Sequence, residues 1–238
     1  MKKIFSLIVA LVVATGAANA FEYEPESGLS FMGLFGMNVS SLQNHSYGAK
    51  AGARMGLKAD YMLPKAHGAY LTSGIEWSMK GGKLSQTIVD GVQAYDATAK
   101  YALHYIEIPL RGGFRYNITE GIGVYAEFGP YIAIGVGGRH KVSIDADGGD
   151  IRALEDVYSF SAFKKYDDLT ETFQRWDAGL GFRVGAEYNN RYNLMLGCDW
   201  GLTDMYRTSL RDRYKEIVGT RLAKVHNFSF TLTVGYRF

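Results

Sequence analysis

The sequence predicts an all-β protein, an eight-stranded antiparallel up-and-down transmembrane β-barrel. Three observations lead there: an export-type N-terminus, eight segments of alternating polar and apolar residues, and gaps between them that differ systematically in length. The 238 residues suit one barrel domain. Charged residues make up 21%, with 29 Gly, 17 Tyr and 4 Pro, which is not the composition of a disordered chain. The single cysteine excludes an internal disulfide framework and a Cys-rich zinc site.

The N-terminus comes first. Met1-Lys2-Lys3 is a short positive region, Ile4 to Ala14 is apolar but for Ser6, and Ala18-Asn19-Ala20 is a small-x-small cleavage site. That order describes a secretory signal peptide. The apolar run is short for a bilayer-spanning anchor, which needs about 20 residues. We therefore divide the chain into a signal peptide, residues 1–20, and a barrel domain, residues 21–238. Phe21 would be the first mature residue, and since it is not Cys a lipoprotein anchor is not expected. Lys2 and Lys3 supply the whole formal charge of +2, so the mature chain has 24 basic and 24 acidic residues. No basic footprint for nucleic acid remains.

The alternating segments fall at roughly 30–40, 50–62, 69–80, 101–116, 123–137, 174–188, 193–203 and 226–238. Alternation is the signature of strands with two different faces. Most segments meet the about 9–11 residues of a tilted membrane strand. Gaps Leu63–Gly68, Asn117–Ile122 and Asn189–Tyr192 are short and rich in turn formers. Gaps Gly81–Lys100, Gly138–Phe173 and Asp204–Val225 are long, and Ser41–Ala49 is intermediate. Short turns at one end and long loops at the other match an outer-membrane barrel with both termini in the periplasm.

One face of each strand is apolar. Leu57 and Tyr61 oppose Arg54, Lys58 and Asp60; Ile106, Ile108 and Leu110 oppose Glu107 and Arg111; Leu180, Phe182 and Val184 oppose Asp177 and Arg183. Phe228, Phe230, Leu232, Val234 and Tyr236 oppose Ser229, Thr231, Thr233 and Arg237. A soluble barrel turns its apolar face inward, and a membrane barrel turns it outward. Aromatic residues favour the second. Tyr61, Tyr116, Tyr188, Tyr236 and Phe238 gather at the turn end of the apolar face, and Trp77, Trp176 and Trp200 at the loop end, as two interfacial belts would. A soluble exported barrel carrying an apolar ligand remains the competing class.

The motifs also resemble a family. Gly36-Met37-Asn38-Val39-Ser40, Trp77-Ser78-Met79-Lys80-Gly81-Gly82, Tyr105-Ile106-Glu107-Ile108-Pro109-Leu110, Phe128-Gly129-Pro130-Tyr131, Trp176-Asp177-Ala178-Gly179-Leu180-Gly181 and Gly235-Tyr236-Arg237-Phe238 run in order along the chain. They resemble the strand motifs of the PorT-like outer-membrane β-barrel (porin-like) family of Gram-negative bacteria. The terminal aromatic, Phe238, resembles the signal read by the barrel assembly machinery. The resemblance implies eight strands but no single activity; some members resemble components of a protein secretion apparatus. It implies outer-membrane lipid and the barrel assembly machinery as partners, with a secretion-apparatus or extracellular protein as a further one. It carries over no catalytic residues.

No catalytic, cofactor-binding or metal residues are assigned, and no cofactor. His45, His67, His104, His140 and His226 show no His-x-Ser or Gly-x-Ser-x-Gly context. His104 and His140 fall near the outer rim, where a lipid-modifying barrel enzyme would keep its catalyst. Asp145, Asp147 and Asp150 could offer oxygens to calcium but lack an EF-hand register. Cys198 reads as a small hydrophobe. Loop 138–173 carries a net charge of −3 and loop 204–225 one of +3, and we expect them to meet as a cap. The polar faces hold Arg54, Lys58, Arg111, Arg115, Arg183 and Arg237 against Asp60, Glu76, Glu107, Glu127, Asp177, Glu187 and Asp199. A nearly balanced set in so narrow a lumen should pair as a plug. The expected function is thus a non-catalytic outer-membrane barrel with a structural, interaction or secretion-associated role. The alternatives are a rim enzyme acting on lipid and a narrow pore.

Overall fold

The computed structural model describes residues 28–43, 47–90, 93–146, 159–163, 173–208, 211–212, 215–216, 219–220 and 223–238. The proposed signal peptide lies outside them. Eight long strands form the barrel: β1 (Leu29–Gln43), β2 (Lys50–Met62), β3 (Ala69–Asp90), β4 (Gln93–Thr119), β5 (Ile122–Ala146), β6 (Trp176–Tyr188), β7 (Tyr192–Gly201) and β8 (His226–Arg237). Each pairs antiparallel with its neighbours in sequence, and β1 pairs with β8 from Met32↔Arg237 to Gln43↔His226, which closes the ring. Closure leaves no free sheet edge within the barrel wall. Two short strands, Tyr47–Gly48 and Ser159–Ser161, add to β3 and β5 beyond the loop-end rim.

The turns follow local chemistry. Asn189 and Asn190 adopt left-handed φ of 49° and 57° between β6 and β7, a conformation Asn tolerates better than most residues. Gly68, at φ 99°, ends the turn before β3 and donates no side chain where the Arg115 carbonyl approaches.

Three strands run further than their alternation suggests. β3, β4 and β5 span 22, 27 and 25 residues, and pairing continues to Asp90↔Gln93 and Tyr95↔Ala146. The gap predicted at Gly81–Lys100 is therefore a β-hairpin, and the one predicted at Gly138–Phe173 begins as strand. Beyond the membrane both faces of a sheet meet polar surroundings, so the alternation that marks a strand disappears there while the strand goes on. A β-bulge between His104 and Tyr105 on β4 leaves Val136 of β5 as the extra residue near this level. Ladder pairing lapses beside Pro109 and Pro130, which lack an N–H to give.

The apolar face points outward. Phe35, Leu57, Ile75, Leu110, Phe128, Val184, Leu196, Phe230 and Val234 are all exposed, Leu57 by 65%. The charged face is buried inside. That orientation removes the soluble-barrel alternative, which would hide these side chains from water. On β6 the outward residues run from Trp176 to Tyr188, twelve steps of about 3.3 Å, or roughly 30 Å across the membrane at a tilt near 40°. This matches an apolar band with an aromatic at each edge. Tyr192, Tyr236 and Phe238 form an edge-to-face aromatic run at the turn end, with centroids 5.5 and 5.8 Å apart. Among the described residues, no helix is long and apolar enough to cross a membrane.

Candidate functional site

The lumen is filled in three tiers. At its centre, Arg54 on β2 lies 2% exposed with its guanidinium 2.5 Å from Glu76, 3.1 Å from Glu107 and 2.9 Å from Asp199. Asp199 also accepts from Arg183 at 2.8 Å, and Arg111 stands 3.7 Å from Glu76 and 3.9 Å from Asp199. Towards the loops, Lys80 pairs with Glu107 at 2.5 Å and lies 3.7 Å from Asp177. Its ammonium also faces the rings of Tyr131 and Tyr105, 4.6 and 5.8 Å from their centroids. Asn227 donates to Asp177 at 2.9 Å. Towards the turns, Lys58 pairs with Glu127 and with Asp60 at 3.2 Å, while Tyr70 donates to Glu127 at 2.8 Å. Arg115 and Arg237 close this tier on Asp60 and Glu187 at 3.1–3.4 Å.

Every charge predicted for the lumen lies there, and the structure adds Lys80, which lies inside the predicted segment 69–80 but was left out of the predicted lumenal set. Among the described residues, buried charges then number seven of each sign. Lys80 was legible in principle, because Glu76, Ser78 and Lys80 share one parity on β3.

Inward glycines make the room. A Cβ on Gly197 would stand 2.2 Å from Cδ of Arg183, and one on Gly181 3.2 Å from Nε of Arg111. Gly113, Gly185 and Gly135 make the same space for the rings of Tyr70, Tyr125 and Phe163. The glycines therefore seat aromatic rings as well as arginines.

An apolar cluster packs among the charges at the turn end and over them at the loop end. At the turn end it comprises Met32, Leu34, Met62, Tyr70, Tyr125 and Met195. At the loop end Phe163, Phe173, Met205 and Val225 descend from the loops onto Leu103, Tyr105 and Tyr131. The two long loops do meet, as expected, and among the described residues they do so through stacking of Phe173 on Tyr206 at 5.7 Å. The ion pair seen in this region, Arg211 with Asp204 at 2.8 Å, joins two residues of the same loop. In mid-lumen, the cavity bordered by Leu34, Arg54, Glu76, Arg111, Arg183 and Met195 measures about 10 Å³, room for about one water.

The other candidates scatter. His104 stacks on Trp77 with centroids 5.5 Å apart, and His226 Nδ1 lies 3.0 Å from the Thr203 carbonyl. His67 occupies the turn at the opposite end, at φ 46°. His45, Asp147 and Asp150 lie outside the described residues. His140 and Asp145 are placed only by their backbone, opposite Tyr101 and Asp96. Cys198 is buried on β7, between Phe182 and Phe230 of the flanking strands.

A closed antiparallel barrel with an apolar exterior and a filled, charged interior is an integral membrane β-barrel. Residues 14–207 match the family model described as "Outer membrane protein beta-barrel domain", and the chain belongs to that family. No curated protein matches. Solved structures similar to it include the attachment invasion locus protein Ail of Yersinia pestis, at 17% identity over 90% of this chain and 100% of that one, with a TM-score of 0.36. Neisserial surface protein A is 13% identical, with 89% and 99% coverage and a TM-score of 0.44. The outer membrane protein OprG from Pseudomonas aeruginosa is 13% identical, with 90% and 97% coverage and a TM-score of 0.40.

Proposed function

We propose that this protein is a non-catalytic outer-membrane barrel with a structural or interaction role, PorT-like within its family, and that its lumen conducts nothing. The filled interior carries this reading. Among the described residues seven buried cations face seven buried anions inside a wall of eight strands, with apolar side chains packed among them at the turn end and over them at the loop end. A lumen that selected ions would present rings of one sign. With its interior closed, the molecule has its outer surface left to work with. β3, β4 and β5 lift a sheet past the rim, and a sheet held clear of the membrane suits contact with an extracellular or secretion-apparatus protein. The termini and short turns face the periplasm in this reading; residues 1–20 direct export and are removed in the course of it, and the assembly machinery then inserts the barrel. Planar-bilayer recordings of the purified folded protein test it. Silence is expected; stable, reproducible single-channel steps would overturn it.

A further inference from the structure

Beyond the membrane, β3, β4 and β5 carry a row of lysines. The register sets Lys83 opposite Lys100 and Lys100 opposite Lys141, so all three leave the same face of the sheet. All three are exposed. Neighbouring strands lie about 4.8 Å apart, so three ammonium groups share a strip about 10 Å wide. Like charges set directly opposite one another destabilise a sheet. The next rung of this face towards the membrane, Gly81, Ala102 and Arg139, adds the exposed Arg139 guanidinium. Lys50 stands close by, its ammonium donating to the Tyr101 carbonyl at 3.0 Å; partial burial and the charge of Lys100 hold it below the usual lysine range. Away from the membrane, the register places Ser85, Thr98 and Ser143 on the next rung and Thr87, Asp96 and Asp145 on the one after. Those two acidic positions lie about 13 Å from the lysines along the strands, more than a Debye length at physiological salt. The sheet thus gathers positive charge that its adjoining rungs do not offset.

Face and height identify the occupant. Tyr101 and Leu103 of β4 are buried inside, so Lys100 points outward, on the side that carries Ile108 and Leu110 lower down. The lysine row therefore continues the lipid-facing wall. Trp77, paired with Ile106, marks the upper edge of the apolar band on β3. Lys83 follows six residues later, about 20 Å along the strand and about 15 Å above that edge at the same tilt. What borders an outward face at that height is the sugar and phosphate layer of the surrounding leaflet. A phosphate carries the opposite charge and several acceptor oxygens, so one group can bridge neighbouring ammoniums and relieve their repulsion. We propose that this row binds phosphate groups on the saccharide headgroup of the outer-leaflet glycolipid, with Lys83, Lys100 and Lys141 sharing them and Arg139 reaching those nearer the acyl chains.

The inference rests on the reading that the loop end faces the outer leaflet. Binding in detergent reads the lysine row whatever the orientation, whereas cysteine labelling in cells reads orientation alone, so the two failures are distinguishable. The folded chain in uncharged detergent would be titrated, by native mass spectrometry, with a short-chain lipopolysaccharide, with the same lipid stripped of its phosphates and with inorganic phosphate. The phosphorylated lipid should bind about tenfold or more tightly than the stripped one. K83Q/K100Q/K141Q should lose that preference, and K100Q alone should lose about fivefold. K83R/K100R/K141R should keep it, as should K65Q/K215Q/K224Q, which removes the same charge elsewhere. Heating followed by gel migration gives a second readout. Without lipid, K83Q/K100Q/K141Q should unfold no earlier than the parent, because a repulsion has gone. Phosphorylated lipid should raise the parent's unfolding temperature and leave that of the variant unchanged. Equal binding of both lipid forms, a preference kept by K83Q/K100Q/K141Q or lost equally by K65Q/K215Q/K224Q, or displacement of lipid by equimolar inorganic phosphate would overturn the proposal.

Discussion

Arg54→Met probes the central tier most directly. Glu76 and Glu107 face each other across the β3–β4 ladder, and like charges placed directly opposite repel. Arg54 lies between them and also reaches Asp199. Without it, seven buried carboxylates confront six cations. Each of the three carboxylates keeps a weaker or separate partner: Arg111 for Glu76, Lys80 for Glu107, Arg183 for Asp199. Removing one member of a buried pair costs about 3–5 kcal/mol, and these surviving partners place the loss near the lower end, about 3 kcal/mol. Urea titration in lipid vesicles, followed by gel migration and tryptophan emission, gives the stability by linear extrapolation. Adding Glu76→Gln removes the facing repulsion and should recover about 1 kcal/mol, a typical coupling between contacting residues. An R54M barrel within about 1 kcal/mol of the parent, no worse than loss of the surface pair in R211Q, would refute the plug. So would a double variant no more stable than R54M.

Three further outcomes follow from the same structure. Gly197→Ala should cost about 1–3 kcal/mol, because its methyl group displaces the Arg183 side chain; an unchanged urea midpoint would mean that Arg183 does not lie over Gly197. A membrane-impermeant maleimide applied to intact cells should label Thr208→Cys and spare Lys65→Cys, with buried Cys198 silent; the reverse pattern would invert the topology. Phe163→Ala loosens the loop-end cap but leaves the ion pairs beneath, so bilayer recordings should stay silent; new current steps would assign the seal to the cap instead.

Inside the membrane the sequence was legible because lipid and lumen impose opposite demands on alternate residues. Arg54, Lys58 and Asp60 on β2, or Asp177, Arg183 and Glu187 on β6, could be assigned to the lumen by parity alone. Past the rim that contrast ends, which is why the outer parts of β3 and β4 read as a loop; Lys80, the last residue of its predicted segment, has the parity of Glu76 and could have been assigned with it. The loop-end cap was expected from opposite loop charges, but its apolar make-up was hidden for another reason. Phe163, Phe173 and Met205 show no periodicity, and only the path of the chain brings them onto Tyr105.

The pairing of charge across the lumen also constrains the order of assembly. β2 alone carries Arg54, Lys58 and Asp60, and an Arg or Lys facing lipid at the bilayer midplane costs about 2–4 kcal/mol. Besides Lys58 on its own strand, Asp60 finds its cations on β4 and β8, and Arg237 is 177 residues away from it in the chain. A lone hairpin would carry its charges into hydrocarbon without these partners. Strands therefore cannot enter the bilayer one at a time and wait there. They must be held together, polar faces inward, until β8 meets β1, which makes membrane entry a single late event and the joining of the first and last strands its gate.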